Sequence, residues 1–224
     1  MAADGAAGPA SAGRLRGVGL AAAAMVAVVV ASNVLVQFPV SGSIGPVALA
    51  DLLTWGAFTY PLAFLVTDLT NRWLGPAMAR RVVYAGFAVA VGLSIWLATP
   101  RIAVASGSAF LVAQLLDIGV FNRLRRLSWW LAPLVASVLG SLVDTALFFG
   151  IAFGPFGAPF GADDAFAIEA APLLGAFAPD VPRWISWALG DLTVKLLAAV
   201  LLLAPYRAAM AVIFAPPYPG TARA

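Results

Sequence analysis

The only lysine of the chain lies in one of its apolar stretches, close to a carboxylate. The stretch GDLTVK places Asp191 and Lys195 four residues apart, so that both lie on one face of a helix. Asp144 lies in a second apolar run, ASVLGSLVDTALFF. An ammonium group and carboxylates can bind and orient a small polar solute through charge-assisted hydrogen bonds. These residues are therefore suited to binding a small polar solute.

The sequence lacks the residues that several kinds of catalysis need. The sequence has no cysteine and no histidine, so thiolate nucleophiles, imidazole bases and the usual zinc and haem ligands are absent. An intramembrane aspartic protease would need a Gly-x-Gly-Asp context, which neither Asp144 nor Asp191 has. No G-x-x-x-x-G-K-[ST] motif is present, so any energy from ATP would come from another chain. We expect a protein that is not an enzyme, with no catalytic residues, metal or cofactor.

The composition indicates that lipid is the main solvent of the chain. Hydrophobic residues make up 62% and charged residues 10% of the 224 residues, and the mean hydropathy is +0.97. Soluble domains are nearer ~45–50% apolar and ~25% charged. The net charge of +3 comes from arginines between the apolar runs, so it reports membrane topology, and we expect no nucleic-acid partner.

Six apolar runs are long enough to suggest membrane spans. They cover residues 18–39, 51–67, 78–98, 102–121, 129–153 and 184–206. We therefore predict an all-α integral membrane protein, a bundle of six transmembrane helices over residues 17–215. A disordered cytoplasmic tail over 1–16 precedes the bundle and a cytoplasmic tail over 216–224 follows it. The first run could be a secretory signal, but it exceeds the length of a signal core.

The arginines predict the orientation, because basic residues near helix ends stay on the cytoplasmic side. One side would carry Arg14, Arg16, Arg72, Arg80, Arg81, Arg123, Arg125, Arg126, Arg207 and Arg223. The other side would carry only Arg101 and Arg183. Both termini are then cytoplasmic, and the acidic loop over 154–183 faces outward.

Charges inside the predicted spans need partners, because each costs ~2.5–3.5 kcal/mol at a helix centre. A rise of ~1.5 Å per residue puts Lys195 ~16 Å below the outer boundary, near the midplane. Asp191 and Asp144 fall in the outer half. Asp191 and Lys195 could be a structural pair, which leaves Asp144 either protonated or paired with Arg101.

Further polar residues extend this set into a column through the membrane. Asn33 falls at the depth of Asp144, and Tyr60 and Gln114 fall beside Lys195. Asp68 and Asp117 lie near the cytoplasmic ends, where we expect them to pair with Arg72, Arg80, Arg81 or Arg123. Ala136 and Gly140 form a small face that favours close helix packing. A polar column without catalytic groups is typical of a transporter for a small polar solute.

Five stretches resemble the queuosine precursor transporter family, also called the vitamin uptake transporter family. They are ASNVLVQFPV, LTWGAFTYPLAFLVTDLTNRWLGPAMARRVVYAGF, AFLVAQLLDIGVFNRLRR, WWLAPLVASVLGSLVDTALFF and GDLTVKLLAAV. The resemblance runs from about Ser32 to Tyr206. It implies a six-helix bacterial inner-membrane protein that imports 7-cyano- and 7-aminomethyl-7-deazaguanine.

The resemblance also implies which residues meet the nucleobase. The family pattern has polar residues at Asn33, Gln37, Asp68, Gln114, Asp117, Asp144, Asp191 and Lys195. The adjacent N1–H and amine donors of the base suit Asp144 or Asp191. Its carbonyl suits Asn33, Gln37, Gln114 or Lys195, and Tyr60, Trp55 or Phe58 could cover its face. Asp68, Arg101 and Asp117 are assigned gating or structural roles.

Related six-helix bundles suggest an alternative. Such bundles serve as the substrate-binding membrane subunits of ATP-driven importers, and this chain would then bind its substrate without transporting it alone. The small face at Ala136 and Gly140 would dock a partner membrane subunit. The sequence leaves open whether the chain forms a homo-oligomer or associates with an ATPase module.

Overall fold

The computed structural model describes residues 9–214. The helices within this range are α1 (Pro9–Leu35), α2 (Gly56–Thr59), α3 (Leu62–Leu74), α4 (Pro76–Leu97), α5 (Pro100–Leu124), α6 (Leu131–Ala152), α7 (Ala165–Ile168), α8 (Arg183–Leu201) and α9 (Leu203–Ile213). Two antiparallel hairpins lie between helices: β1 (Ser43–Ile44) with β2 (Val47–Ala48), and β3 (Ala170–Leu173) with β4 (Phe177–Pro182). Short 3-10 helices cover Leu49–Asp51 and Pro155–Phe160.

Five helical segments are long and apolar enough to cross a membrane. They are Leu15–Leu35, Pro76–Leu97, Pro100–Leu124, Leu131–Ala152 and Arg183–Ile213, the last of which joins α8 and α9. Each has at least the roughly 20 residues that a ~30 Å hydrocarbon core requires. The expectation of an all-α, multi-pass membrane protein is met by these segments.

The second predicted span, residues 51–67, is not a continuous helix. Its first half contains a 3-10 turn and the four-residue α2, and α3 begins only at Leu62, directly after Pro61. Proline has no N–H to donate to the preceding turn, which interrupts the helix there. With 13 residues, α3 is about 20 Å long, which is shorter than the hydrocarbon core.

The first helix begins earlier than the sequence suggested. α1 starts at Pro9, so residues 9–16 of the tail that was predicted to be disordered are helical. Alanine has the highest helix propensity, and the apolar span supplies the nucleus from which the helix extends. Residues 1–8 of that predicted tail, and the tail predicted over 216–224, lie outside the described residues.

Small residues bring α3, α5 and α6 close together. A Cβ atom on Gly140 of α6 would lie 2.6 Å from Phe64 Cε1 of α3 and 3.5 Å from the carbonyl oxygen of Ala113 of α5. Ala136, one turn earlier, has no exposed surface. The packing role predicted for Ala136 and Gly140 is therefore confirmed. The expectation that this face docks a partner subunit is wrong, because helices of the same chain cover it.

The contact at Gly140 makes a prediction for stability. Gly140→Ala should lower the melting temperature in detergent, because its methyl group overlaps Phe64, and overpacking of this kind costs about 1–3 kcal/mol. Gly92→Ala in α4 is the matched control, since a Cβ there meets nothing within 4 Å. Equal melting temperatures for the two variants would contradict the packing described here.

Candidate functional site

Lys195 joins carboxylates from two different helices. Its Nζ lies 2.6 Å from Asp144 Oδ2 on α6 and 2.5 Å from Asp191 Oδ2 on α8 itself. The side chains of Lys195 and Asp144 are 4% exposed, and that of Asp191 is 17% exposed. The i,i+4 pair predicted within α8 is present, and Asp144 shares the same ammonium. One cation therefore faces two carboxylates inside the helix bundle.

Tyr60 and Thr145 complete the hydrogen bonds of this site. The Tyr60 hydroxyl donates to Asp144 Oδ1 at 2.8 Å, and the centre of its ring lies 5.2 Å from Lys195 Nζ. Thr145 Oγ1 donates to Asp191 Oδ2 at 2.8 Å and accepts from Lys195 Nζ at 3.3 Å. The three donors of the ammonium group thus have three acceptors. We call these five residues the Lys195 cluster.

Two cavities touch the Lys195 cluster. One, the Asp68 cleft, lies between α3, α6, α8 and α9 and has room for about one water molecule. Its polar lining is Asp68, Ser137, Ser141, Lys195 and Tyr206. The other, the Asn33 cavity, lies between α1, α4 and α5 and has room for a few water molecules. Its polar lining is Ser32, Asn33, Tyr60, Ser94 and Ser106.

The comparison with known proteins decides the family. Residues 54–99 and 92–209 match the family model described as "Putative vitamin uptake transporter". The "Queuosine precursor transporter" of Escherichia coli (strain K12) is 35% identical over 201 residues, 80% of this chain and 79% of that protein. This chain belongs to the queuosine precursor transporter family. The resemblance found in the sequence is confirmed, and the protein is a multi-pass membrane transporter by family.

Two further relatives carry the same description. The "Probable queuosine precursor transporter" of Haemophilus influenzae (strain ATCC 51907 / DSM 11121 / KW20 / Rd) is 36% identical over 163 residues, 61% of this chain and 69% of that protein. The protein of that name from Bacillus subtilis (strain 168) is 29% identical over 128 residues, 45% of this chain and 56% of that protein. No solved structure matches the chain.

None of the three amide side chains predicted to bind substrate reaches the Lys195 cluster of this transporter. Asn33 lines the neighbouring cavity and donates to the carbonyl of Val29 at 2.9 Å. Gln37 is exposed at the end of α1. Gln114 is fully buried, where its Oε1 accepts from Thr67 at 2.5 Å. The structure brings Tyr60, Asp144, Asp191 and Lys195 together and leaves these three amides outside.

Only one of the three aromatic residues predicted to cover the base lies at the cluster. Tyr60 faces the cluster, whereas Trp55 and Phe58 are 49% and 44% exposed. Thr145, by contrast, belongs to the cluster and was not predicted. A threonine in an apolar helix usually bonds back to its own backbone, so its type alone gave no signal. Its position next to Asp144 in the sequence VDT was the only available indication.

Asp68 and Asp117 do not pair with arginines as predicted. Their exposed fractions are 2% and 0%, and neither forms an ion pair within residues 9–214. Asp68 lies on the buried face of α3, and Asp117 lies on the buried face of α5. Arg72, one turn after Asp68, donates instead to the Tyr206 hydroxyl at 3.0 Å and to the carbonyl of Arg125 at 2.6 Å.

Arg101 is not the partner of Asp144. Its guanidinium, 4% exposed, forms an ion pair at 2.7 Å with Asp163 of the loop between α6 and α8. It also donates to the carbonyl oxygens of Ile151, Gly154, Gly161 and Ala162. The last carbonyls of a helix have no partner within it, and Arg101 supplies donors to those at the end of α6. Its role is to hold this loop against α5.

The contacts of Arg101 predict the effect of a conservative substitution. Arg101→Lys should make the loop between α6 and α8 more sensitive to a protease that cleaves after acidic residues. A lysine ammonium cannot reproduce the planar, five-donor geometry of the guanidinium. Arg183→Lys is the control, because that arginine forms an exposed pair with Glu169. Equal cleavage rates in the two variants would show that Arg101 does not hold the loop.

Proposed function

We propose that this transporter imports 7-cyano-7-deazaguanine and 7-aminomethyl-7-deazaguanine across the bacterial inner membrane and that the Lys195 cluster binds the base. Transport is secondary or facilitated. The observation that carries the proposal is the sharing of the Lys195 ammonium by carboxylates of α6 and α8 within the membrane-spanning helices. The names of the relatives supply the substrate class.

The chemistry of the base suits the cluster. Its N1–H and exocyclic amine lie side by side and can bond to one carboxylate. Asp191 suits this task, because it is the more exposed carboxylate and its Oδ1 accepts no hydrogen bond from the described residues. Lys195 would donate to the carbonyl of the base. The Tyr60 ring, already against the ammonium, would cover the base face.

Passage of the base requires the helices to move. Both cavities at the cluster are smaller than a purine-like base. The helix break at Pro61 lies directly after Tyr60, so α2 and α3 can rotate separately beside the cluster. Broken helices at the substrate site are a recurring feature of secondary transporters. Tyr60 would then open and close the site from the side of the Asn33 cavity.

The topology follows from the same break. We assign α2 and α3 together as a sixth, discontinuous crossing beside the five continuous helical segments. The arginines between α3 and α4 and after α5 then lie on the cytoplasmic side with both termini. The loop over 154–182, held by Arg101, faces outward.

Uptake into liposomes tests the function directly. The purified chain, reconstituted without ATP or other proteins, should take up labelled 7-cyano-7-deazaguanine. Lys195→Ala should reduce uptake about tenfold or more, as expected for losing hydrogen bonds from a charged group, and Asp144→Asn should do the same. Thr193→Ala is the matched control on α8, because Thr193 is exposed and bonds only to the carbonyl of Leu189.

The other outcomes separate the alternatives. Binding of the base without uptake would indicate the substrate-binding subunit of an ATP-driven importer. Neither binding nor uptake by folded wild-type protein would show that the substrate is different. Normal uptake by folded Lys195→Ala would show that the cluster is only a structural ion pair.

A further inference from the structure

A second polar cluster lies between α3 and α5. The carboxyl groups of Asp68 and Asp117 are within hydrogen-bonding range of each other, and their exposed fractions are 2% and 0%. An ionised carboxylate can only accept a hydrogen bond. The contact between the two groups is therefore a hydrogen bond only when one of them carries a proton.

Neighbouring contacts hold the two carboxyl groups together. The Thr67 hydroxyl lies 2.5 Å from Gln114 Oε1. Thr67 directly precedes Asp68 on α3, and Gln114 lies one turn before Asp117 on α5. Asn71 Nδ2 donates to the carbonyl of Ile118 at 3.2 Å, on the opposite side of the pair. Both contacts link α3 to α5. These contacts hold α3 and α5 together on both sides of the two carboxyl groups.

The cluster contains buried polar atoms that have no hydrogen-bond partner. Asp68 Oδ1, both carboxyl oxygens of Asp117 and Asn71 Oδ1 are buried and receive no hydrogen bond from the described residues. The Ser137 hydroxyl approaches the other oxygen of Asp68 at 3.5 Å, which is a weak contact. Two buried donors, Arg72 Nη2 and Gln114 Nε2, also have no partner among the described residues, and neither bonds to a carboxyl oxygen. A proton on one carboxyl group would supply the donor for the contact between Asp68 and Asp117.

The surrounding charges favour one bound proton. The polar groups near the pair are Arg72 of α3 and, around the Asp68 cleft, Ser137 and Ser141 of α6, Lys195 of α8 and Tyr206 of α9. Lys195 is itself neutralised by Asp144 and Asp191. The described side chains Arg16 of α1 and Arg80, Arg81 and Tyr84 of α4 are exposed, as are Arg123 and Arg207. Arg72 donates to the Tyr206 hydroxyl and to the carbonyl of Arg125 rather than to either carboxyl group. Two buried carboxylates without an ion pair favour a proton on one of them.

One cleft borders both Asp68 and the Lys195 cluster. The Asp68 cleft is lined by Asp68, Lys195 and the hydroxyl groups of Ser137, Ser141 and Tyr206, together with apolar side chains of α3, α8 and α9. The cleft has room for about one water molecule, which could bridge such hydroxyls. A change of charge at the pair therefore acts on the Lys195 cluster at short range.

We propose that the Asp68–Asp117 pair is a proton-binding site that couples uptake of the base to the proton gradient. The pair shares one proton in the conformation described here. It takes that proton from the acidic side of the membrane, and releases it to water on the other side when the Asp68 cleft opens. The coupling rests on the proposed function, whereas the presence of the proton does not.

The proton can be detected without any substrate. Infrared spectra of the protein in lipid at neutral pH should contain the carbonyl stretch of a buried protonated carboxyl group. The band should be lost in Asp117→Asn, whose amide supplies the donor that the proton supplied, and retained in Asp180→Asn, an exposed carboxylate of β4. No such band in the wild type, or its persistence in both Asp117→Asn and Asp68→Asn, would overturn the proposal.

Transport then tests the coupling. With an acidic exterior, wild-type liposomes should accumulate labelled 7-cyano-7-deazaguanine above equilibrium, and Asp180→Asn should do so equally. Asp117→Asn should lose this accumulation while it continues to exchange labelled for unlabelled base at equal pH. Unchanged accumulation by Asp117→Asn would overturn the coupling. Failure of wild-type exchange, with the infrared band present, would instead refute the proposed substrate and leave the proton site standing.

Discussion

The structure depends on a buried ammonium group that has to be neutralised by groups on its own and neighbouring helices. The Lys195 side chain is only 4% exposed, so α6 has to present Asp144 and Thr145 to α8. Removing one partner of a buried ion pair typically costs 3–5 kcal/mol. This penalty fixes the register between α6 and α8 and brings Tyr60, at the end of the broken helix, to the same point.

A second constraint acts at the interface of α3 with α5 and α6. Gly140 lets Phe64 of α3 approach α6, and the bonds of Thr67 to Gln114 and of Asn71 to Ile118 hold α3 against α5 beside Asp68 and Asp117. The Asp68 cleft lies where this interface meets α8. The two polar clusters are therefore parts of one arrangement, in which the discontinuous α2–α3 segment touches both. Movement at Pro61 would therefore change the surroundings of both clusters.

The sequence predicted the features that depend on the length of the apolar runs and on the depth of each residue in the membrane. Counting residues from helix ends placed Lys195, Tyr60, Asp144 and Asp191 at neighbouring depths, because helical rise is regular. The same count placed Gln114 and Asn33 there, and these two side chains lie outside the cluster. Depth does not tell which way a side chain faces, so it could not place Asp68 and Asp117 between helices rather than beside arginines. The possible pairing of Arg101 with Asp144 was wrong, because the partners of Arg101 are mostly backbone carbonyls of a loop, which no residue pattern reveals. The interruption of the second predicted span follows from Pro61, which has no N–H to donate to the preceding turn.

The most direct test of the central claim is whether the base binds at the Lys195 cluster. A ligand that binds only the folded state raises the melting temperature. 7-cyano-7-deazaguanine should therefore raise the melting temperature of the wild-type protein in detergent and that of Thr193→Ala. It should not raise that of folded Asp191→Asn, which lacks the more exposed carboxylate. An equal rise in Asp191→Asn would show that the base binds elsewhere and would contradict the account.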